Sequence, residues 1–427
     1  MLLVYTHKIT PRVTYTFKHI CTRILGIPVQ FTSKLEAFIA HEGPKLSYTY
    51  KKLGNELHIR STDLLFDQGV LSMDISVQDW DGIPCFFQIR EATTEIPYDI
   101  FAATFYLLSR YEEYLPHVKD DLGRFPASES LGGIHKFLHQ PVIDVWIHRL
   151  GTVLVNTFPS IELKSSTYHT DMMVTVPQAF KYRKLGVLRM LGGYIRDISK
   201  LRLREIVKRT QVLVGARKDP YDTFTWLTNV QKKEKLSFHV FFQVGDYGKD
   251  GKNIKHSKRA FQTTIKMVGD YCKVGLLVSP QAARDKLSLS LERKRLEDIE
   301  HRPLTSIHIS NFKLNLPHIY RDALDQEIQE DFTMGYDGII GFRAGTSQSF
   351  LYYDLDYEIQ TPLVINPVCM QSDTIINYKN HTIDFVLLKE LQDQIKDVGG
   401  IFRISFSNDS FDDIYSKKLF RHLLANG

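Results

Sequence analysis

The chain has 427 residues, 43% of them apolar and 24% charged, with 54 Lys and Arg against 49 Asp and Glu for a formal net charge of +5. That length admits two or three domains with substantial cores, and the composition is that of an ordinary globular protein. The small positive balance does not by itself imply nucleic acid, because a footprint needs basic residues clustered on one face, and no run of about 20 apolar residues offers a membrane span.

Residues 2–5 read as a short strand. Residues 11–25 read as a helix, with Pro11 at its first position and Val13, Phe17, Ile20 and Ile24 at helical spacing. Two strands at 45–50 and 56–60, joined through Gly54-Asn55, read as a hairpin. A strand is expected at 85–89 and a helix over 98–114, ending in Arg110-Tyr-Glu-Glu-Tyr114. Residues 121–130 are a loop punctuated by Gly and Pro. A further helix covers 141–157, and a domain boundary falls near 158–160.

From there strands and helices alternate. Residues 167–175 read as a buried strand, running into a turn at Pro177 and a basic helix. Helices are expected at 186–200, 220–233, 257–271, 292–301, 317–329 and 383–398. Strands are expected at 237–244, 273–279, near Ile307, and at 338–342, 361–366 and 400–405. About seven apolar strands alternating with helices fit a parallel barrel better than a doubly wound sheet. The most basic stretch, residues 181–217, is expected to present a solvated helical face, with a patch for phosphate, anionic glycan or membrane as the alternative.

Cys21, Cys85, Cys272 and Cys369 show no metal spacing and sit in apolar contexts, so all four read as reduced and buried. That usage, with no signal-peptide pattern at the first residues, points to the cytoplasm.

Several stretches resemble the polysaccharide deacetylase family (NodB-homology, carbohydrate esterase family 4), and within it a two-domain subgroup associated with Bacteroidetes. They are Tyr98-Asp-Ile-Phe through Glu113, Gly123-Arg-Phe-Pro126, Lys218-Asp-Pro-Tyr-Asp-Thr-Phe224, and Met334-Gly-Tyr336 followed by Gly341-Phe-Arg-Ala-Gly-Thr346. The resemblance implies an α/β protein with an N-terminal α/β accessory domain (1–158) and an irregular (β/α)7-type deacetylase barrel (159–427). It also implies metal-assisted hydrolysis of an N-acetyl sugar. In that chemistry Asp and His hold a divalent ion, usually zinc, a second Asp is the base, and a late His is the acid.

Carried over by motif, those catalytic positions fall on Met173, Thr175, Leu277 and Ser407, with Ser372 replacing a further Asp; the Arg is retained as Arg343. A thioether, an isobutyl group and hydroxyls do not hold zinc. The expectation is therefore a deacetylase-like protein of carbohydrate metabolism, catalytically inactive and without cofactor, that still binds a glycan, an envelope-polysaccharide precursor or a protein partner. Arg343, Asp246, Tyr336 and Thr346 are the substrate-binding candidates, with pairing of Arg343 to Asp354 or Asp373 as the structural reading. The alternative is an active metal-dependent deacetylase with a relocated zinc site. Residues two apart on a strand share a face, which would put Asp171 roughly 6–7 Å below Met173, and His169, Asp171, His239 and His308 are its ligand candidates. A third reading is a scaffolding protein with its interface on the helix at 98–114.

Overall fold

The computed structural model describes all residues except 91–94, 235–237, 249, 250, 252 and 427, so the expected start of a strand at Ser237 lies outside the described residues. The first part of the chain holds a four-stranded parallel sheet. Its members are β1 (Leu2–Tyr5), β2 (Val29–Thr32), β3 (Lys45–Thr49) and β4 (Leu57–Arg60), in the order β2-β1-β3-β4. Helix α1 (Pro11–Phe17) starts on Thr10, whose side chain accepts from the Val13 N–H at 3.0 Å, and continues as a wider π-helical stretch, Lys18–Ile24. Helix α2 (Leu35–Ala40) follows. β3 and β4 do not form the expected hairpin. Leu46 lies opposite Leu57 and Tyr48 opposite Ile59 in parallel register. The chain between them loops back instead of reversing, and Glu56 pins that loop by accepting from the Ser47 hydroxyl (2.6 Å) and the Leu53 N–H (2.9 Å).

A small antiparallel pair, β5 (Gln78–Trp80) and β6 (Ile83–Cys85), takes the place of the strand expected at 85–89. The helix expected over 98–114 divides into α3 (Ile100–Leu108) and α4 (Tyr111–Tyr114). The break is Arg110, left-handed at φ 54°, whose buried guanidinium turns in to reach Glu112 and Glu113. Helices α5 (Leu131–Ile134) and α6 (Val142–Thr157) complete this part.

The second part opens with β7 (His169–Val176), then three helices: α7 (Val187–Ser199), α8 (Leu203–Leu213) and α9 (Phe224–Glu234). There follow β8 (His239–Phe242), α10 (Arg259–Gly269), β9 (Lys273–Val278), α11 (Lys286–Glu300), β10 (Ser306–Ile309) and α12 (His318–Asp325). Then come β11 (Glu330–Asp331), β12 (Phe350–Asp354), β13 (Ile359–Ile365) and β14 (Met370–Gln371). A short pair, β15 (Ile376–Asn377) and β16 (Thr382–Ile383), precedes α13 (Phe385–Asp397), β17 (Ile401–Ser407) and α14 (Ile414–Asn426). One sheet takes the order β12-β13-β11-β10-β9-β8-β7-β17-β14, parallel except for β12 against β13.

Residues 366–371 tie its two flanks together. Asn366 donates to the Asp331 carbonyl (2.8 Å) and Val368 to Met334 (2.8 Å), while Cys369 donates to Arg403 (3.1 Å) and Met370 pairs with Ile404. Side chains alternate as a strand requires. Met172, Val174 and Val176 join the main core, whereas Met173 joins Phe241, Leu277, Phe312, Phe332 and Val368 in a separate apolar cluster inside the curl. The strand expected at 338–342 is absent. Gly341, at φ 143°, lies so close to the Leu138 carbonyl that a Cβ would come within 2.6 Å, and Phe342 donates to that carbonyl at 2.7 Å. This stretch packs across the first part of the chain instead of joining the sheet.

Candidate functional site

The C-terminal ends of the parallel strands open on a cleft of about 420 Å³. Pro177 and Gln178 follow β7 and Gln243 follows β8; Arg284 follows β9, and Ser310, Asn311 and Lys313 follow β10. Asp409 after β17, Tyr221 before α9 and Leu122 from the first part close the rim. Local hydrogen bonds fix these groups. Asn408 donates to the carbonyls of Gln178 and Tyr221, both at 3.0 Å, and Gln243 donates to the Ser310 hydroxyl at 3.3 Å. Burial, with Asp409 and Asp219 nearby, pushes the Tyr221 hydroxyl up to about 12, so it is a neutral donor at physiological pH.

The positions where the resemblance expects acid and base chemistry lie below and at the edge of this mouth. Met173 is fully buried and Leu277 is 2% exposed, both in the apolar cluster. Thr175 and Ser407 face each other across β7 and β17. The Thr175 hydroxyl donates to the Phe406 carbonyl (3.2 Å), and the Ser407 hydroxyl donates to Asp409. Ser372 is buried, its hydroxyl 3.4 Å from Asp373. His308 bonds the Phe332 carbonyl through Nδ1 (2.6 Å), and burial lowers its pKa to about 4, which keeps it neutral. Among the described residues, no three His, Cys, Asp or Glu side chains come together as metal ligands. The side chains of Met173, Thr175, Leu277, Ser372 and Ser407 do not fit zinc, which asks for carboxylate, imidazole or thiolate.

The candidates for a relocated site do not converge either. His169 is exposed at the start of β7. Asp171 accepts from Arg403 Nε at 3.1 Å, and the same buried guanidinium reaches the Ser349 hydroxyl (2.7 Å) and the Ser347 carbonyl (3.2 Å). His239 packs on Phe332 with ring centres 4.4 Å apart and is lowered to about 4 by burial. It lines a hollow of about 310 Å³ at the strand starts, opposite the mouth.

Three of the four substrate-binding candidates are in a buried seam, not in the cleft. Arg343, 2% exposed, grips Glu113 with Nε (2.9 Å) and Nη2 (2.7 Å). Its expected partners are engaged elsewhere, Asp354 with Arg321 at 2.6 Å and Asp373 with Tyr378 at 2.6 Å. Tyr336 lies under the Arg343 guanidinium at 5.1 Å, and Thr346 donates to Asp144. Asp246 is exposed and pairs with Arg295 at 2.9 Å. Arg110, Glu112 and Glu113 are buried against this seam, so they are not an outward interface. Sequence reasoning missed the Arg343–Glu113 and Arg403–Asp171 pairs. Their partners stand 230 and 232 residues apart, and nothing local marks them.

A family model described as a family of unknown function (DUF7033) matches residues 2–159. No curated protein matches the chain. Among solved structures it is similar to a candidate polysaccharide deacetylase from Mycobacterium smegmatis, at 10% identity over 62% of this chain and 84% of that one, with a TM-score of 0.40. It is also similar to BA3943, a carbohydrate esterase family 4 pseudoenzyme from Bacillus anthracis, at 8% identity over 61% and 62% and a TM-score of 0.31. A third is IcaB from Ammonifex degensii, at 13% identity over 41% and 86% and a TM-score of 0.24.

Proposed function

We propose that residues 159–427 form an irregular (β/α)7-type barrel of the polysaccharide-deacetylase kind, that residues 1–158 are its accessory domain, and that the chain binds a glycan at the barrel mouth without hydrolysing it. The motifs that resemble the deacetylase family support the reading, as do the parallel strands joined through residues 366–371. The observation that carries it is the apolar floor. Where deacetylase chemistry needs carboxylate and imidazole, Met173 and Leu277 close over Phe241 and Phe332. Such a floor neither polarises a carbonyl nor activates a water. The rim above it stays polar, with amide, hydroxyl and aromatic groups of the kind that recognise sugar hydroxyls and ring faces. Four buried free cysteines, their thiols pushed up by burial (to about 12 for Cys21, Cys272 and Cys369), support a reducing, cytoplasmic setting. Among the described residues, no helix is long and apolar enough to cross a membrane.

Isothermal titration with Zn²⁺ and an acetate-release assay on acetylated chitooligosaccharides check the absence of hydrolysis; neither signal is expected. The same oligosaccharides should bind, and Tyr221→Ala should weaken that binding about tenfold or more. Metal-dependent acetate release sinks the proposal, and failure to bind any oligosaccharide redirects it to a protein partner.

A further inference from the structure

The hairpin of α7 and α8 is built inside out. Between its helices lies an ion pair: Arg209, 4% exposed, reaches Asp197, 2% exposed, at 2.6 Å. The Arg209 guanidinium lies over Tyr182 (4.8 Å) and Tyr194 (5.5 Å), and it fits because Gly193 has no side chain; a Cβ there would be 2.4 Å from Nη1. Val212 of α8 is buried, but most of the large apolar residues point outward. On α7, Val187, Leu188, Leu191, Ile195 and Ile198 recur at helical spacing as one stripe and are 51–87% exposed. Leu201 (83%) and Leu203 (69%) at the bend, with Val207 (54%) and Val214 (74%) on and just past α8, extend it. A helical hairpin bathed only in water turns its apolar stripes inward.

The surroundings of this face are strongly cationic. Residues 181–217 carry eleven Lys and Arg against two acids, and one of those acids is the buried Asp197. Arg183, Lys184, Arg196, Lys200, Arg202 and Arg204 are all exposed beside the apolar stripe. We infer that the α7–α8 hairpin docks on an anionic lipid surface, with its apolar stripe in the headgroup–acyl boundary and its Arg and Lys at the lipid phosphates. Helices of 13 and 11 residues are too short to span a bilayer, and a strong apolar face flanked by cations is the pattern of helices that lie in its surface. Charge decides against a second copy of the chain as occupant. A two-fold contact through this face would bring its own cations together, whereas anionic headgroups neutralise them. Gln178 and Tyr221 line both the mouth cleft and the groove beneath the hairpin, so docking sets the mouth beside the lipid surface.

Co-sedimentation of the 427-residue chain with vesicles tests this. Binding is expected with phosphatidylcholine–phosphatidylglycerol vesicles, at least about tenfold weaker with phosphatidylcholine alone, and falling as salt rises. Leu191→Ser with Ile195→Ser and Ile198→Ser should abolish it while leaving the melting temperature unchanged, since all three side chains face out. Lys200→Glu with Arg202→Glu and Arg204→Glu should do the same. As a second readout, Leu191→Trp should show a blue shift in emission on adding the anionic vesicles. No sedimentation, equal sedimentation with both vesicle types, or an unshifted tryptophan overturns the inference. So does a concentration-dependent dimer that the serine variant makes monomeric while the vesicles stay unbound.

Discussion

Two guanidiniums converge on the Glu113 carboxylate where water cannot screen them. Arg343 holds both oxygens, and Arg110 Nε adds a third contact at 2.8 Å. Glu113→Gln leaves the two cations facing each other in the interior. Removing one partner of a buried pair costs about 3–5 kcal/mol, and the urea midpoint should fall by the corresponding amount. The pH dependence has a definite sign. Burial pushes the Glu113 carboxyl up, but Arg343 and Arg110 outweigh it and hold the group at about 2, below its ordinary 4.5. A lowered folded value stabilises fully above the ordinary one, and the contribution is lost as the pH falls toward 2. Asp144 acts in the reverse sense. Burial raises it from 3.8 to about 6 despite hydrogen bonds from Ser347 and Thr346, so its ionisation costs stability as the pH rises between those values. Urea midpoints across the acid range should show a falling limb that Glu113→Gln lacks, and Asp144→Asn should flatten the slope between 3.8 and about 6.

At the scale of the element, β7 shows what a strand's period decides. Met173 is sealed in the inner apolar cluster, while Thr175, two residues on, is half-buried at the rim with its hydroxyl on a carbonyl. Met173→Ala should cost about 2–5 kcal/mol through lost contacts and a cavity, against about 1 kcal/mol for Thr175→Ala. Equal costs from chemical denaturation would place the two side chains in like surroundings and contradict this assignment. The alternation of strands and helices after residue 167 was legible because apolar runs and helical spacing are local signals. The two-residue β11 was not, since its pairing comes from neighbours on both sides and not from its own composition. Nor was the division of α3 from α4, which follows from distant contacts. The Arg110 guanidinium donates to the Arg343 carbonyl, and that partner is unreadable at position 110. Residues 181–217 were legible as basic and helical, but only the fold revealed that the apolar side faces out.

At the scale of the whole molecule, the seam between residues 1–158 and 159–427 behaves as an interior. Arg12, 1% exposed, pairs with Glu358, and the Tyr15 hydroxyl donates to the Leu351 carbonyl at 2.7 Å. The Tyr114 and Tyr352 hydroxyls meet at 2.8 Å, Arg124 reaches Asp337 at 2.7 Å, and Asp144 accepts from the Ser347 N–H at 2.8 Å. Arg12 and Arg343 find their carboxylate partners across the seam, and Asp144 takes its hydrogen bonds from Thr346 and Ser347 on the far side. Separating the parts would leave Arg343, Arg12 and Asp144 without the groups that hold them, and each uncompensated buried charge costs several kcal/mol. Those costs are comparable with the stability of an entire domain, so neither part should unfold while the other stays intact. Calorimetry of the full chain should show one transition with equal calorimetric and van't Hoff enthalpies. A fragment of residues 159–427 should lack a cooperative melt of its own. Two resolved transitions, or a fragment that melts cooperatively near the temperature of the full chain, would show that the seam joins two independently stable bodies.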